Sequence, residues 1–370
     1  MISEQIIFSE IFNFKGKTSR RAGDGYTEGT YPFFTSSETQ TKFLNEYDHK
    51  GPCIILGTGG SANVHYCERP FATSADCFVA SVKVDRTDMA KFYYYFLKSN
   101  LKILEAGFRG AGLKHISKRF VESLLLPHFL TDYQMKAVTI LDRADGVHHK
   151  RQESIRLTEE FLRSVFLNMF GDPVTNPKEW DKAPLKNLGI VTTGNTPSRE
   201  HPEYYGEGIE WIKSDNINTP YHFLTKAKEF LTPEGQKIGR IVPENSVLVT
   251  CIAGSPDCIG NAALTNRPVS FNQQINAITP FEGTDPYFLY VHFLVSKKLV
   301  QQESTESMKG MVNKSKFENI LFLKPPYPLQ HNFGKIFNRI HNVFSRNNNA
   351  VSLSEDLFKA LTQKAFRGEL

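Results

Sequence analysis

A proline-free run, residues 134–170, restricts the fold of this chain more than any other feature. Its apolar residues return at helical spacing (Val138, Leu141, Ile155, Leu157, Phe161, Leu162, Val165, Phe166, Met169), and it stops at Gly171-Asp172-Pro173. A glycine followed closely by proline ends a helix, because glycine takes the left-handed cap and proline cannot continue the ladder. At 1.5 Å per residue such a helix is roughly 55 Å long, more than a small domain uses internally. Residues 330–366 repeat the pattern, with Glu355-Asp356-Leu357-Phe358-Lys359 echoing Glu159-Glu160-Phe161-Leu162-Arg163.

The repeat extends beyond the helices. Arg69-Pro70 falls on Arg267-Pro268, Ser117-Lys118 on Ser315-Lys316, Gln134 on Gln330 and Phe170 on Phe366, at an offset of about 196 to 198 residues. Phe33-Phe34-Thr35-Ser36 matches Trp211-Ile212-Lys213-Ser214 at an offset of about 178, which requires an insertion of about 20 residues in the second half. This period is far longer than that of a solenoid, so the chain is a duplicated unit: globule, long helix, globule, long helix. Two long helices from such a unit pair with their apolar stripes facing, most simply antiparallel as a coiled coil, and relate the globules by a pseudo-two-fold axis. The expected fold class is α+β, two similar mixed α/β domains with two long helices. The expected bounds are 1–130 for the first domain, 131–172 for the first helix, 173–328 for the second domain and 329–370 for the second helix.

A chain of 370 residues, 40% hydrophobic, is large enough for about two buried cores. No apolar window has the length of a membrane span, and residues 1–12 show no signal-peptide pattern, so a cytoplasmic protein without membrane association is expected. Five cysteines, an odd number without a CxxC pair, fit a reducing compartment. The net charge of +5 permits a nucleic-acid partner without demanding one.

Within the first half, 31–34 and 53–56 are short apolar runs bounded by turn formers, and 88–104 reads as a helix whose aromatic residues belong to a core. Residues 173–184 form a proline-rich connector. Strand-like runs follow at 188–191, 209–212, 246–251 and 277–279, with a late helix at 286–299.

Catalytic motifs are absent. Gly57-Thr58-Gly59-Gly60-Ser61 lacks the lysine of a phosphate-binding loop and reads as a turn after a strand. His148-His149 has no ligand partner at metal-binding spacing. Lys324-Pro325-Pro326-Tyr327 resembles the motif of adenine amino-methyltransferases, but lysine has only donors and cannot accept the bond from the amine to be methylated. It reads as a proline turn into the second long helix. The residues leave three readings open: a non-catalytic reader of two separated half-sites on duplex DNA, an enzyme whose motif is not visible, and a duplicated helical scaffold without nucleic acid.

The second half carries Thr193-Gly194-Asn195-Thr196-Pro197-Ser198, then Tyr204-Tyr205-Gly206 and Gly208-Ile209-Glu210-Trp211-Ile212-Lys213-Ser214-Asp215, and later Arg267-Pro268 with Asn272-Gln273-Gln274. These stretches, with the helix ends at 160–173 and 356–368, resemble the DNA-specificity subunit of Type I restriction–modification systems over essentially the whole chain. The first half departs in its opening, where Gly16-Lys17-Thr18-Ser19-Arg20 echoes the second turn only in part. The resemblance implies two target-recognition domains, each reading one half-site of a bipartite double-stranded DNA target. It also implies long helices that set the spacing and dock methyltransferase subunits, two of them, and restriction/translocase subunits. S-adenosylmethionine, ATP and Mg would belong to those partners, with no cofactor, metal or catalytic residue in this chain.

Base edges are read by Asn, Gln, Arg, Lys, Ser and Thr, and phosphates are held by Lys, Arg, hydroxyls and main-chain amides. On that chemistry the candidate DNA contacts in the second domain are Thr193, Asn195, Thr196, Arg199, Lys213, Ser214, Asn216, Lys309, Asn313, Lys314 and Lys316. In the first they are Lys17, Arg20, Arg21, Ser36, Ser37, Arg109, Lys114, His115 and Lys118.

Overall fold

The computed structural model describes residues 4–86, 88–305 and 310–370. It divides into two units, Met1–Gln152 with Asn349–Leu370, and Glu153–Asn348. The division falls inside the long helices, Thr131–Phe170 and Tyr327–Arg367, rather than in the proline-rich segment. That segment is folded. Trp180 donates its indole N–H to the carbonyl of Phe170 at 3.0 Å, and Lys178 reaches the carbonyls of Asn168 and Met169, satisfying the end of the first long helix.

In the first unit an antiparallel sheet runs in the order Phe12–Phe14, Cys77–Val82, Cys53–Gly57, Val64–Cys67. Cys53-Ile54-Ile55-Leu56 is buried throughout, which is why it reads as a continuous apolar run: a central strand covered on both faces needs no polar alternation. A second sheet orders Lys42–Leu44, Tyr31–Phe34 and Ala72–Thr73, with Phe33 beside Ala72 in parallel register. The expected helix over 88–104 is two helices, Ala90–Ser99 and Leu101–Glu105, parted at Asn100, whose side-chain amide turns back to the carbonyl of Phe96. Its Phe92, Tyr93, Tyr95 and Leu97 are core residues.

The second unit repeats this order as Gly189–Thr193, Ile275–Pro280, Val247–Thr250, Ala262–Leu264. Its second sheet orders Phe230–Leu231, Tyr205–Ile212, Val269–Phe271 and Ile241–Val242, with Trp211 beside Ser270 in parallel register. Phe33 therefore corresponds to Trp211 and Ala72 to Ser270, and the two offsets seen in the sequence are both real. The insertion is not one block. The spans Phe34 to Phe43, Leu44 to Ile54 and Gly57 to Val64 become the longer spans Ile212 to Phe230, Leu231 to Val247 and Thr250 to Ala262. The first of these is a longer loop. The second adds the helix Pro233–Ile238, while the strands Ile241–Val242 and Ile252–Ala253 stand where the first unit has single bridges, His49 to Phe71 and Gly59 to His115. The late helix is again two, Pro286–Val295 and Lys297–Gln302, parted at Ser296.

Each unit contains its own antiparallel helix pairing. In the first, Tyr133 donates its hydroxyl to the carbonyl of Ala365 at 2.8 Å and His148 meets Ser354 at 3.2 Å, so one segment runs up as the other runs down. In the second, Asn347 donates to the hydroxyl of Ser154 at 2.9 Å, and Phe166 packs edge-on against Phe333 with ring centroids 5.4 Å apart. The helix ends dock alike: Phe366 meets Phe92 at 5.2 Å, and Phe170 meets Phe288 at 4.8 Å. The duplicated α+β architecture with paired long helices is thus present in both units. Lys324-Pro325-Pro326 forms the turn between the strand Leu321–Leu323 and the second long helix. Among the described residues no helix is long and apolar enough to cross a membrane.

Candidate functional site

In the second unit the site grows from the turn after Gly189–Thr193. A Cβ at Gly194 would lie 2.1 Å from the carbonyl oxygen of Asn272, so only glycine lets the two backbones approach this closely. Asn195 staples the turn. Its amide donates to the carbonyl of Ile238 at 3.0 Å and accepts the Arg240 N–H at 2.9 Å, while its carbonyl receives the Trp211 indole N–H at 3.2 Å. Thr196 is exposed and donates to the side chain of Gln273.

Beyond the turn, the Arg199 guanidinium stands 4.0 Å over the Tyr205 ring and 5.3 Å from the Trp211 ring. The Lys213 ammonium lies 5.1 Å over the other ring of this pair, Trp211. Both cations pair with Glu229, Arg199 at 2.5 Å, and the adjacent Lys213 and Arg199 hold that carboxyl below its ordinary range. Arg240 also donates to the Thr193 carbonyl at 3.3 Å.

A second segment carries further candidates. Asn313 caps the helix Lys314–Asn319 by accepting the Lys316 N–H at 2.9 Å. Lys314 pairs with Glu318 at 3.2 Å, and Lys316 donates to the carbonyl of Glu303 at 2.9 Å. Buried Asn276 joins this segment to the turn, accepting from Thr193 at 2.6 Å and donating to the carbonyl of Val312 at 3.4 Å. Thr193, Asn195, Thr196, Arg199 and Lys213 are therefore gathered around one surface, with Asn313, Lys314 and Lys316 at the start of an adjoining short helix. Ser214 is half-buried at the start of the next turn. Lys309 lies outside the described residues.

Asn216 does not belong to this surface. It is 6% exposed, donates to Thr225 and to the carbonyl of Lys226, and accepts the Lys213 N–H at 3.1 Å, so its amide has no edge left for a base.

The first unit uses different chemistry at the same place. Thr18 stands where Asn195 stands and donates to the carbonyl of Thr73 at 2.6 Å. Lys17 lies 4.9 Å over Phe78 and Lys118 5.2 Å over Phe14, and these two rings touch edge-on, so the lysines flank an aromatic pair. Lys118 also lies 3.6 Å from Glu122. Ser36, like Asn216, is spent internally: it donates to the carbonyl of Asp76 at 2.6 Å and accepts the N–H groups of Thr58 and Gly59.

That places Ser36 against the turn that follows the strand Cys53–Gly57. The same turn meets Lys114, whose carbonyl accepts the Gly60 N–H at 3.1 Å, and His115, bridged to Gly59. Arg109 pairs in register with His115. Arg20 is turned to Asp48 at 3.0 Å and Glu46 at 3.2 Å, which raise its pKa. Arg21 and Ser37 are exposed; the Ser37 carbonyl meets His65 at 2.8 Å.

Residue typing missed Arg240, Tyr205 and Trp211, and Gln273 drew notice only as part of an amide run. Nothing local marks Arg240, which reaches Asn195 only because the strand Ile241–Val242 pairs with Val269–Phe271. Among the described residues no cluster of three or more His, Cys, Asp or Glu side chains is placed to hold a metal.

The duplication just described has a counterpart in known sequences. Both halves match the family model described as Type I restriction modification DNA specificity domain, over residues 4–157 and 177–352. The chain belongs to this family.

Among its relatives, the Type I restriction enzyme HindI specificity subunit of Haemophilus influenzae is 29% identical over 170 residues, spanning 43% of this chain and 35% of the relative. The MjaIX specificity subunit of Methanocaldococcus jannaschii is 33% identical over 120 residues, or 27% of its length. These two matches thus span about a third of each relative or less. The EcoBI specificity subunit of Escherichia coli is 23% identical over 365 residues, covering 86% of this chain and 73% of that one. In three dimensions the chain is similar to the S subunit of a Type I restriction-modification system from M. genitalium. The TM-score is 0.68 at 16% identity, over 99% of this chain and 96% of the other.

Proposed function

We propose that this chain is the non-catalytic, sequence-reading subunit of a Type I restriction–modification assembly. Each globule reads one half-site of a bipartite double-stranded DNA target. The observation that carries this reading is the duplication itself: the same strand order occurs twice, and each copy matches the specificity-domain family. Residues 1–130 and 173–328 serve as the two readers, and 131–172 and 329–370 as the helices between them.

Lys17, Arg109, Lys114, His115 and Lys118 in the first reader, and Thr196, Arg199, Lys213, Lys314 and Lys316 in the second, are exposed or half-exposed side chains that can reach phosphates or base edges. The helices dock two methyltransferase subunits and a restriction/translocase. Matching exposed apolar residues support a docking role: Val147 with Val343, Leu157 with Leu353, and Phe161 with Leu357. S-adenosylmethionine, ATP and Mg belong to those partners, and the assembly works in the cytoplasm where its DNA lies.

Genome-wide mapping of N6-methyladenine with and without the gene tests this reading. Loss of one interrupted motif on deletion is expected. An unchanged methylation pattern in cells where the chain co-purifies with a methyltransferase subunit would overturn it.

A further inference from the structure

Two cations of the second reader lie on aromatic faces and share one carboxylate. Arg199 rests on Tyr205 and Trp211, and Lys213 rests on Trp211, while Glu229 reaches both. The cations remain open to solvent, with side chains 55% and 37% exposed, so an incoming phosphate can reach them. We propose that Glu229 is a built-in brake on DNA affinity at this reader, an internal anion that competes with backbone phosphate for Arg199 and Lys213. This rests on the DNA-reading function above and adds how strongly one reader grips.

Three observations favour competition over positioning. The rings already fix where the cations stand, so the carboxylate is not needed to aim them. The main chain of Glu229 is held separately, its carbonyl accepting the Trp211 N–H at 3.0 Å, so the side chain can let go without disturbing the strand. Pairs this exposed are weak, and a phosphate can displace them.

Lys228 and Glu207 line the same hollow and carry opposite charges, so they do not replace Glu229. The device belongs to one reader only. In the first unit the residue opposite Phe33, the counterpart of Trp211, is Lys42, whose ammonium donates to the carbonyl of Ala22 at 2.6 Å.

The test is fluorescence anisotropy of the full chain with a mixed-sequence synthetic duplex across a salt series. Glu229→Gln is expected to bind about fivefold more tightly, since two weak pairs no longer have to be broken. The slope of log K against log salt should steepen by up to about two phosphate contacts, because no released carboxylate takes cations up again. Glu229→Ala should act in the same direction. The triple variant E229Q/R199A/K213A should lose the gain. Unchanged or weaker binding by both Glu229 variants, or a gain that survives in the triple variant, would overturn the brake. Wild-type binding that ignores salt would instead defeat the DNA-reading function beneath it.

Discussion

Gln330 accepts the main-chain N–H of Asp285 at 3.1 Å and donates its own amide to the carbonyl of Pro325 at 2.7 Å. Gln134 does the same in the first unit, accepting from Met89 at 2.9 Å and donating to the carbonyl of Phe129 at 3.0 Å. Both glutamines are fully buried in the first turns of the long helices. Each ties its helix to the globule that precedes it and satisfies main-chain groups that water cannot reach.

Truncating either one leaves a buried donor and a buried acceptor unpaired. Gln330→Ala and Gln134→Ala are each expected to cost about 2–4 kcal/mol in urea denaturation. A loss below about 0.5 kcal/mol in both would show that these bonds do not hold the helices to the globules.

Asn216 and Lys213 are near neighbours that should respond differently. Asn216→Ala removes three internal bonds and is expected to lower folding stability by about 2–3 kcal/mol. Lys213→Ala should change stability by less than about 1 kcal/mol. Comparison of the two melting curves is decisive: equal losses would mean that Lys213 is as structural as Asn216.

His222 and His292 are buried in the second unit, and burial pushes both pKa values down to about 3. For His292 the geometry agrees, because its Nε2 accepts the Leu323 N–H at 3.0 Å and must be unprotonated to do so. The folded pKa lies below the unfolded one near 6.5, so the unfolded chain binds protons first as pH falls. Stability is therefore retained above that value and lost progressively below it, toward 3, by up to about 1.4 kcal/mol per pH unit for each histidine. Imidazole NMR signals recorded from about pH 7 to pH 5 should not titrate while the protein is folded. A His292 signal moving with a midpoint near 6.5 would refute the buried neutral form.

Four of the five cysteines are buried, and burial pushes the Cys251 thiol up to about 12 and those of Cys53 and Cys77 up to about 11. Thiolates are the reactive species, so native protein treated with a thiol reagent near pH 8 should label quickly at Cys258 alone, and at all five after unfolding. Rapid native labelling at Cys251 would contradict the packing around the strand Val247–Thr250.

Much of the architecture was legible because its signals are local or repeat. Helical periodicity placed the first long helix within three residues of its observed start at Thr131, and the doubled offset matched Phe33 with Trp211 as the strand registers do. The breaks at Asn100 and Ser296 were not legible, since each falls in a short polar run, Lys98-Ser99-Asn100 or Ser296-Lys297-Lys298, of the kind a continuous amphipathic helix also carries on its outer face.

The residue types of the candidate site were legible; which of those residues the fold gathers and leaves exposed was not. Typing residues by hydrogen-bonding chemistry found the turn at Thr193, Asn195 and Thr196, and the cations Arg199 and Lys213. It could not separate Asn216 and Ser36, whose side chains are consumed by the carbonyls of Lys226 and Asp76, 10 and 40 residues along the chain, from groups left free to meet a ligand.

The sequence by itself determined the duplication, the two long helices and the absence of a recognisable catalytic motif, because periodicity and spacing are properties of neighbouring residues. Only the tertiary structure decided which polar side chains remain available. An amide or a lysine is free or spent according to which distant backbone group or carboxylate the fold brings within about 3 Å of it. That is why Glu229, unremarkable in sequence, is found between the two cations that rest on the second reader's aromatic pair.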